Sequence, residues 1–171
     1  MQNHFDLFQL PQQFELDLPA LDAAYREVQN QVHPDKFVNQ SDAEKRVAMQ
    51  WATRANEAYQ TLKNPLKRAK YLCELNGVDL QIESNTAMPV AFLMQQMEWR
   101  EALEDARAAK DLTALESLDI ELSAARKASL AQIAQHIETN DFVQAGQDIR
   151  QLMFLEKFGE EVGFAFESLS Y

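Results

Sequence analysis

Residues 17–62 read DLPALDAAYREVQNQVHPDKFVNQSDAEKRVAMQWATRANEAYQTL, and this stretch decides the fold. Two amphipathic helices flank its polar centre. The first is capped by Asp17, has Pro19 in its opening turn, and carries an apolar stripe of Leu21, Tyr25, Val28 and Val32. The second begins with the capping box SDAE at residues 41–44, and its stripe is Val47, Trp51, Ala55, Ala58, Tyr59 and Leu62. So short a connection predicts an antiparallel helical hairpin.

The flanking segments are also predicted to be helical. Phe5, Phe8 and Leu10 indicate a short helix or turn that closes one side of the hairpin. Another helix begins at Asn64-Pro65 and ends at Asn76-Gly77. We therefore expect the first domain to occupy residues 1–76.

The second half of the chain predicts a three-helix bundle. Residues 77–88 show no sustained period and read as a linker. Three long helical stretches follow at about 89–109, 112–139 and 141–168, with Asp111 or Thr113 as a cap for the second. Their short connections predict antiparallel packing. The fold class is therefore all-α, with the bundle domain at residues 89–171.

Composition and charge exclude several classes of protein. No apolar run reaches the roughly 18 residues of a membrane span, and the N-terminus lacks the regions of a secretory signal. The single cysteine, Cys73, excludes an internal disulfide, and we expect it to be buried. Residues 77–171 carry 7 basic and 17 acidic residues, against 9 and 10 in residues 1–76. Such acidity would repel nucleic acid and anionic membranes, so we expect neither as a partner.

The tripeptide His33-Pro34-Asp35 lies at the tip of the predicted hairpin. Pro34 prevents either helix from running through the loop, which leaves an imidazole and a carboxylate at the tip. One interpretation is an ordinary loop with a capping aspartate and a surface histidine. A catalytic pair is disfavoured, because nothing nearby supplies a nucleophile or an oxyanion site. The spacing of His4, His33 and His136 does not indicate a metal site, so we expect no enzyme, metal or cofactor.

Several segments resemble a known family. HPDKF after an amphipathic helix, followed by ANEAYQTLKNP, resembles a J domain. NPLKRAKYL and AFLMQQMEWREALEDA resemble the HscB family, the J-type co-chaperones of iron–sulfur cluster assembly, and the resemblance runs from FDLFQLP to QLMFLEKF. It implies stimulation of the ATPase of a DnaK/HscA-class heat-shock chaperone. The implied contact residues are His33, Pro34, Asp35, Lys36, Tyr25, Arg26, Gln29 and Asn56.

The helix before the tripeptide departs from the family pattern. J domains usually offer a basic face there. In this chain Arg26 is the only basic residue between residues 17 and 32, and the same segment contains the acidic residues Asp17, Asp22 and Glu27. We therefore expect a weak electrostatic contact and a dedicated partner. The family's eukaryotic members often carry a cysteine-rich N-terminal module, and its absence here favours a bacterial, cytoplasmic protein.

A helical wheel of residues 92–106 predicts apolar side chains on both sides. Phe92, Trp99, Leu103 and Ala106 form a core stripe, while the far side carries Leu93, Met94 and Met97 among Glu101, Glu104 and Asp105. Either another element packs on that far side, or it is an exposed patch that binds a partner. The HscB resemblance implies binding of the scaffold protein IscU through Leu93, Met94, Met97, Glu98, Glu101, Asp105 and Phe154.

We therefore expect an adapter whose J domain activates a chaperone and whose bundle delivers a cluster scaffold. Two alternatives stay open. One is a J-domain co-chaperone for a different client, and the other is a non-catalytic helical interaction protein in which the tripeptide is incidental. Which of Leu152, Phe154, Leu155 and Phe158 points outward is not decided by their spacing.

Overall fold

The computed structural model describes residues 2–80 and 87–170 of the chain. Every regular element in those ranges is helical, which confirms the all-α prediction. The chain divides into two compact units, Met1–Leu75 and Asn76–Tyr171. The linker predicted at residues 77–88 lies partly outside the described residues, because 81–86 are not among them.

The first unit is built on the predicted hairpin. Its described helices are α1 (His4–Leu7), α2 (Leu18–Gln31), α3 (Asp42–Lys63) and α4 (Pro65–Leu75), with a 3-10 turn at Pro34–Lys36 between α2 and α3. The Asp17 carboxylate accepts a hydrogen bond from the Ala20 N–H at 3.2 Å, and the Ser41 hydroxyl accepts one from the Glu44 N–H at 3.2 Å. Both predicted N-caps are confirmed.

The core of the first unit lies at the end of the hairpin away from the loop. The buried side chains there include Phe5, Phe8, Leu21, Ala55, Ala58, Leu62, Leu72 and Cys73. Nearer the loop, Val47 and Trp51 are 51% and 38% exposed, so this part of the apolar stripe predicted on α3 does not belong to the core. Both side chains line an open groove with Val32 and Phe37, which cover them only in part.

The second unit contains α5 (Val90–Ala109), α6 (Leu112–Glu138) and α7 (Phe142–Leu169). The connections at Lys110 and Asn140 reverse the chain through positive φ values of 52° and 60°. The Asp111 carboxylate caps α6 by accepting from the Ala114 N–H at 3.1 Å, which settles the choice between Asp111 and Thr113. The three helices therefore pack as antiparallel neighbours.

The bundle core follows the stripe predicted on α5. Trp99, Leu103 and Ala106 are buried and Phe92 is half-buried. On α7 the helix continues through Gly159, and the Arg126 side chain of α6 extends over it: a Cβ there would lie 2.7 Å from Arg126 Nη1. The glycine weakens the helix locally and leaves room for the guanidinium of Arg126.

Candidate functional site

The His33-Pro34-Asp35 tripeptide forms a hydrogen-bonded turn at the tip of the hairpin. The Lys36 N–H donates to the His33 carbonyl and the Phe37 N–H to the Pro34 carbonyl, each at 3.0 Å. His33 Nδ1 accepts a hydrogen bond from the Asp35 backbone N–H at 3.2 Å. The imidazole therefore caps the turn, and its neutral form carries the proton on Nε2.

The side chains of the tip remain open to solvent. The His33 and Asp35 side chains are 57% and 88% exposed, with His33 Nδ1 lying 3.5 Å from Asp35 Oδ2. Pro34 and Lys36 are exposed beside them. A partner thus meets a donor at Nε2, a carboxylate and an ammonium on a backbone that local hydrogen bonds hold in place.

The four flanking residues of the predicted chaperone contact divide into two pairs. Arg26 and Gln29 are exposed and lie about one turn apart on α2. Tyr25 and Asn56 are bonded to each other, the Tyr25 hydroxyl donating to the Asn56 amide oxygen. The Tyr25 ring also stacks on Tyr59, with the ring centroids 4.1 Å apart. Tyr25 and Asn56 therefore join α2 to α3, whereas Arg26 and Gln29 are available to a partner.

A second hydrogen bond between the same two helices uses an acidic residue of α2. The Tyr59 hydroxyl donates to Asp22 Oδ1 at 2.6 Å. This bond to the Asp22 carboxylate raises the pKa of the Tyr59 hydroxyl, because the phenolate would lose it. Asp22 is thereby engaged inside the hairpin, and Arg26 remains the one basic side chain of α2.

On the second unit, the far side of α5 is exposed. Leu93, Met94 and Met97 have relative exposures of 47%, 57% and 71%, and no helix of the bundle covers them. Exposed carboxylates of the same helix accompany them at Glu98, Glu101 and Asp105. Together with Phe154 these six residues are called the α5 patch below.

Phe154 joins the patch from α7. It is 44% exposed, while Leu152, Leu155 and Phe158 are buried. As first and third helices of an antiparallel bundle, α5 and α7 run parallel, and Trp99 stacks on Phe158 with ring centroids 5.9 Å apart. Phe154 lies one turn before Phe158, which puts it level with the turn of α5 that precedes Trp99. All seven residues predicted for scaffold binding are therefore exposed, six of them on α5 and Phe154 on the neighbouring α7.

Sequence reasoning missed a groove beside the tip of the hairpin. Its walls are Val32 at the end of α2, Phe37 after the 3-10 turn, and Val47, Ala48 and Trp51 on α3, and its volume is about 440 Å³. The periodicity of Val47 and Trp51 indicated a buried stripe, because the same spacing arises whether or not a second helix covers it. Their large apolar side chains close to a loop were the one available signal.

Within residues 2–80 and 87–170, no group of three or more His, Cys, Asp or Glu side chains could hold a metal ion. Among the helices described, none combines the length and the apolar character needed to cross a membrane.

Comparison with known families matches both units. The DnaJ domain family matches residues 3–71. The family described as the HSCB C-terminal oligomerisation domain matches residues 88–163. The two matches together cover most of the chain, and the boundary between the two compact units lies in the gap between them.

The similar proteins and structures described next are all HscB proteins. The chain is 57% identical over 169 residues to the co-chaperone protein HscB homolog of Burkholderia mallei, covering 99% of this chain and 97% of that protein. It is 56% identical to the HscB homolog of Burkholderia cenocepacia, over 98% of this chain and 95% of that protein. The structure of chaperone HscB from Vibrio cholerae superposes with a TM-score of 0.86 at 38% identity, covering 98% and 99% of the two chains. Human co-chaperone HscB gives a TM-score of 0.89 at 27% identity, covering 96% and 82%.

Proposed function

Because this chain belongs to the HscB family of J-domain co-chaperones, we propose that it binds two partners through two separate surfaces. As a member of that family, it acts as a co-chaperone in iron–sulfur cluster assembly. A J domain implies a heat-shock ATPase chaperone as one partner, and we propose the DnaK/HscA class. The other partner is an IscU-type scaffold protein. HscB proteins form a family of co-chaperones and not of enzymes.

The observation that carries this proposal is the exposed turn at the tip of the hairpin. His33 Nε2, the Asp35 carboxylate and the Lys36 ammonium face solvent on a backbone held by hydrogen bonds between Lys36, Phe37 and the tripeptide. Such a preformed polar turn loses little conformational entropy on binding. The contact surface continues along α2 through Arg26 and Gln29.

The J domain does not hydrolyse ATP itself. By binding the hydrolysis-competent state of the chaperone more tightly than its other states, it raises the population of that state. Tyr25 and Asn56 take part indirectly, because their mutual hydrogen bond holds α2 against α3 and so sets the position of the tip.

The α5 patch supports the scaffold half of the proposal. Exposed apolar side chains at Leu93, Met97 and Phe154 would be buried by a partner, and Met94 and Met97 can adapt to its shape. The carboxylates of Glu98, Glu101 and Asp105 at the edge favour a partner with basic residues around an apolar contact.

The bacterial cytoplasm is the compartment we propose for this activity.

The test is the steady-state ATPase rate of a purified HscA-class chaperone with increasing amounts of this chain. We expect wild-type chain to stimulate the rate and His33→Gln to abolish stimulation, because the amide replaces the imidazole that caps the turn and faces the partner. Circular dichroism should show an unchanged helix content. Full stimulation by folded His33→Gln would contradict the chaperone half.

A J-domain co-chaperone with a different client is the second candidate, since the α5 patch alone does not name its occupant. Pull-down with the full chain separates the two. Recovery of both an HscA-class chaperone and an IscU-type scaffold supports the proposal, whereas recovery of the chaperone with another protein bound at the α5 patch favours the different client.

A further inference from the structure

The groove beside the tip shares its backbone with the proposed chaperone contact. Val32 directly precedes His33, and Phe37 directly follows Lys36, so the loop that carries the tripeptide also forms one wall. Val47, Ala48 and Trp51 of α3 form the other wall. A partner that covers the tip therefore meets the groove within a few residues.

The groove has the composition of a binding site for apolar groups. Apart from Gln40 and Glu44, its lining residues are apolar. Trp51, at 38% exposure, and Val47 are left partly in water, although apolar side chains of this size are usually buried. Its volume of about 440 Å³ falls within the range of ligand pockets, about 300–1,000 Å³.

The scarcity of charged residues in the groove favours an uncharged occupant. Glu44 is its only charged lining residue, which leaves little to attract a strongly charged segment. On α2, Arg26 is the only base that could attract an acidic partner. The α2 side of the chaperone contact therefore receives little electrostatic support beyond Lys36 at the tip, and burial of apolar surface beside the tip can supply further affinity.

We propose that this groove binds an uncharged, apolar segment of the same heat-shock chaperone that contacts the tip. The inference rests on the proposed function and adds a second contact to it. The tip would favour the hydrolysis-competent state, and the groove would contribute affinity for the chaperone as a whole.

The test compares two substitutions on one helix. Val47→Asp places a carboxylate in the groove, whereas Met49→Asp places one on α3 at a residue that is more exposed and does not line the groove. Each full-length variant is titrated into a purified HscA-class chaperone while its ATPase rate is measured. We expect Val47→Asp to raise the half-saturating concentration roughly tenfold, with the maximal rate unchanged. Met49→Asp should stay within about twofold of wild type.

A second variant separates loss of apolar contact from charge repulsion. Trp51→Ala adds no charge and should raise the half-saturating concentration about fivefold. Because apolar contacts are not screened by salt, this effect should persist at high sodium chloride concentration. Circular dichroism of every variant should match wild type, since Val47 and Trp51 are not part of the buried core.

The outcomes distinguish failure of the groove from failure of the proposed function. If His33→Gln abolishes stimulation while Val47→Asp and Trp51→Ala behave like Met49→Asp, the groove proposal is overturned and the proposed function stands. Loss of scaffold affinity in Val47→Asp would assign the groove to the client and overturn the proposal. If light scattering shows that the wild-type chain is a dimer and that Val47→Asp is a monomer, the groove binds a second copy of the chain. That result would also overturn the groove proposal. Stimulation that survives His33→Gln overturns both.

Discussion

Phe154 and Phe158 lie one turn apart on α7, yet only one of them is exposed. Phe158 is buried and stacks on Trp99, while Phe154 remains 44% exposed. Residues at i and i+4 share a helix face, so the difference comes from the neighbour that each ring meets. Phe154 is therefore the ring of this pair that a partner can reach, and it is the contribution of α7 to the α5 patch.

We expect Phe154→Ala to weaken binding of an IscU-type scaffold about tenfold, or about 1.4 kcal/mol, because it removes an apolar anchor. Calorimetric titration of the full chain with the scaffold measures this change. Phe164→Ala is the matched control, since Phe164 is a more exposed phenylalanine of the same helix that lies outside the patch. Equal losses in the two variants would contradict a localised contact.

Cys73 offers a prediction on pH. Burial, assisted by the nearby Glu74 carboxylate, raises the pKa of its thiol to about 11, so the folded state keeps the thiol protonated. At pH 8 the thiolate fraction is then on the order of one in a thousand, against roughly a quarter for an exposed cysteine. Labelling with a disulfide reagent should be at least about a hundredfold slower in native chain than in urea, and should accelerate as the pH rises towards 11. Native labelling at the unfolded rate would contradict this burial.

At the scale of elements, the hairpin is closed at one end and open at the other. Away from the loop, the Tyr25 hydroxyl bonds to Asn56 and the Tyr59 hydroxyl to Asp22. Near the loop, α3 continues beyond the end of α2 and its flank forms the groove. The hydrogen-bonded end positions the tip, and the open end leaves apolar surface next to it.

Arg68 holds three segments of the first unit together. Its guanidinium is buried, donates to the Phe14 carbonyl at 2.7 Å and the Leu62 carbonyl at 2.6 Å, and lies over the Phe14 ring. We expect Arg68→Met to lower the free energy of unfolding by about 2–4 kcal/mol, since two carbonyls lose their donor. Urea unfolding followed by the accessibility of the buried Cys73 thiol to a labelling reagent reports on this unit, to which Cys73 belongs. Lys67→Met, at the exposed neighbouring residue, should cost less than about 0.5 kcal/mol, and a similar loss in both would refute the role of the buried guanidinium.

At the scale of the whole molecule, each unit has its own core and its own candidate surface. The tip and the groove belong to the unit Met1–Leu75, and the α5 patch belongs to Asn76–Tyr171. An adapter needs this separation, because the two partners must be bound at the same time. Substitutions in one surface should therefore leave the other function intact.

We expect Leu93→Ala combined with Met97→Ala to reduce scaffold affinity by tenfold or more, at about 1.4 kcal/mol per tenfold, while basal stimulation of the chaperone is unchanged. Calorimetry and the ATPase assay measure the two effects in the same preparation. Ile120→Ala, which truncates an equally exposed apolar side chain on α6, should change neither. Unaltered affinity in the double variant would remove the α5 patch as the scaffold site.

The helix boundaries and the two sides of α5 follow from the sequence alone. Asp17 and Ser41 cap helices through bonds to residues three positions away, and a helix stripe depends only on a spacing of about 3.6 residues. The tripeptide at a hairpin tip was predictable for the same reason. These features are local, so the order of the residues is sufficient to determine them.

Which apolar side chains are left uncovered depends on how the helices pack in three dimensions. That packing turned Phe154 outward, exposed Val47 and Trp51, and tied Tyr25 to Asn56. Whether a side chain is buried depends on what lies opposite it, and that neighbour is far away in the chain. Periodicity therefore predicted the faces of the helices, while packing between distant segments determined which of those faces a partner can reach.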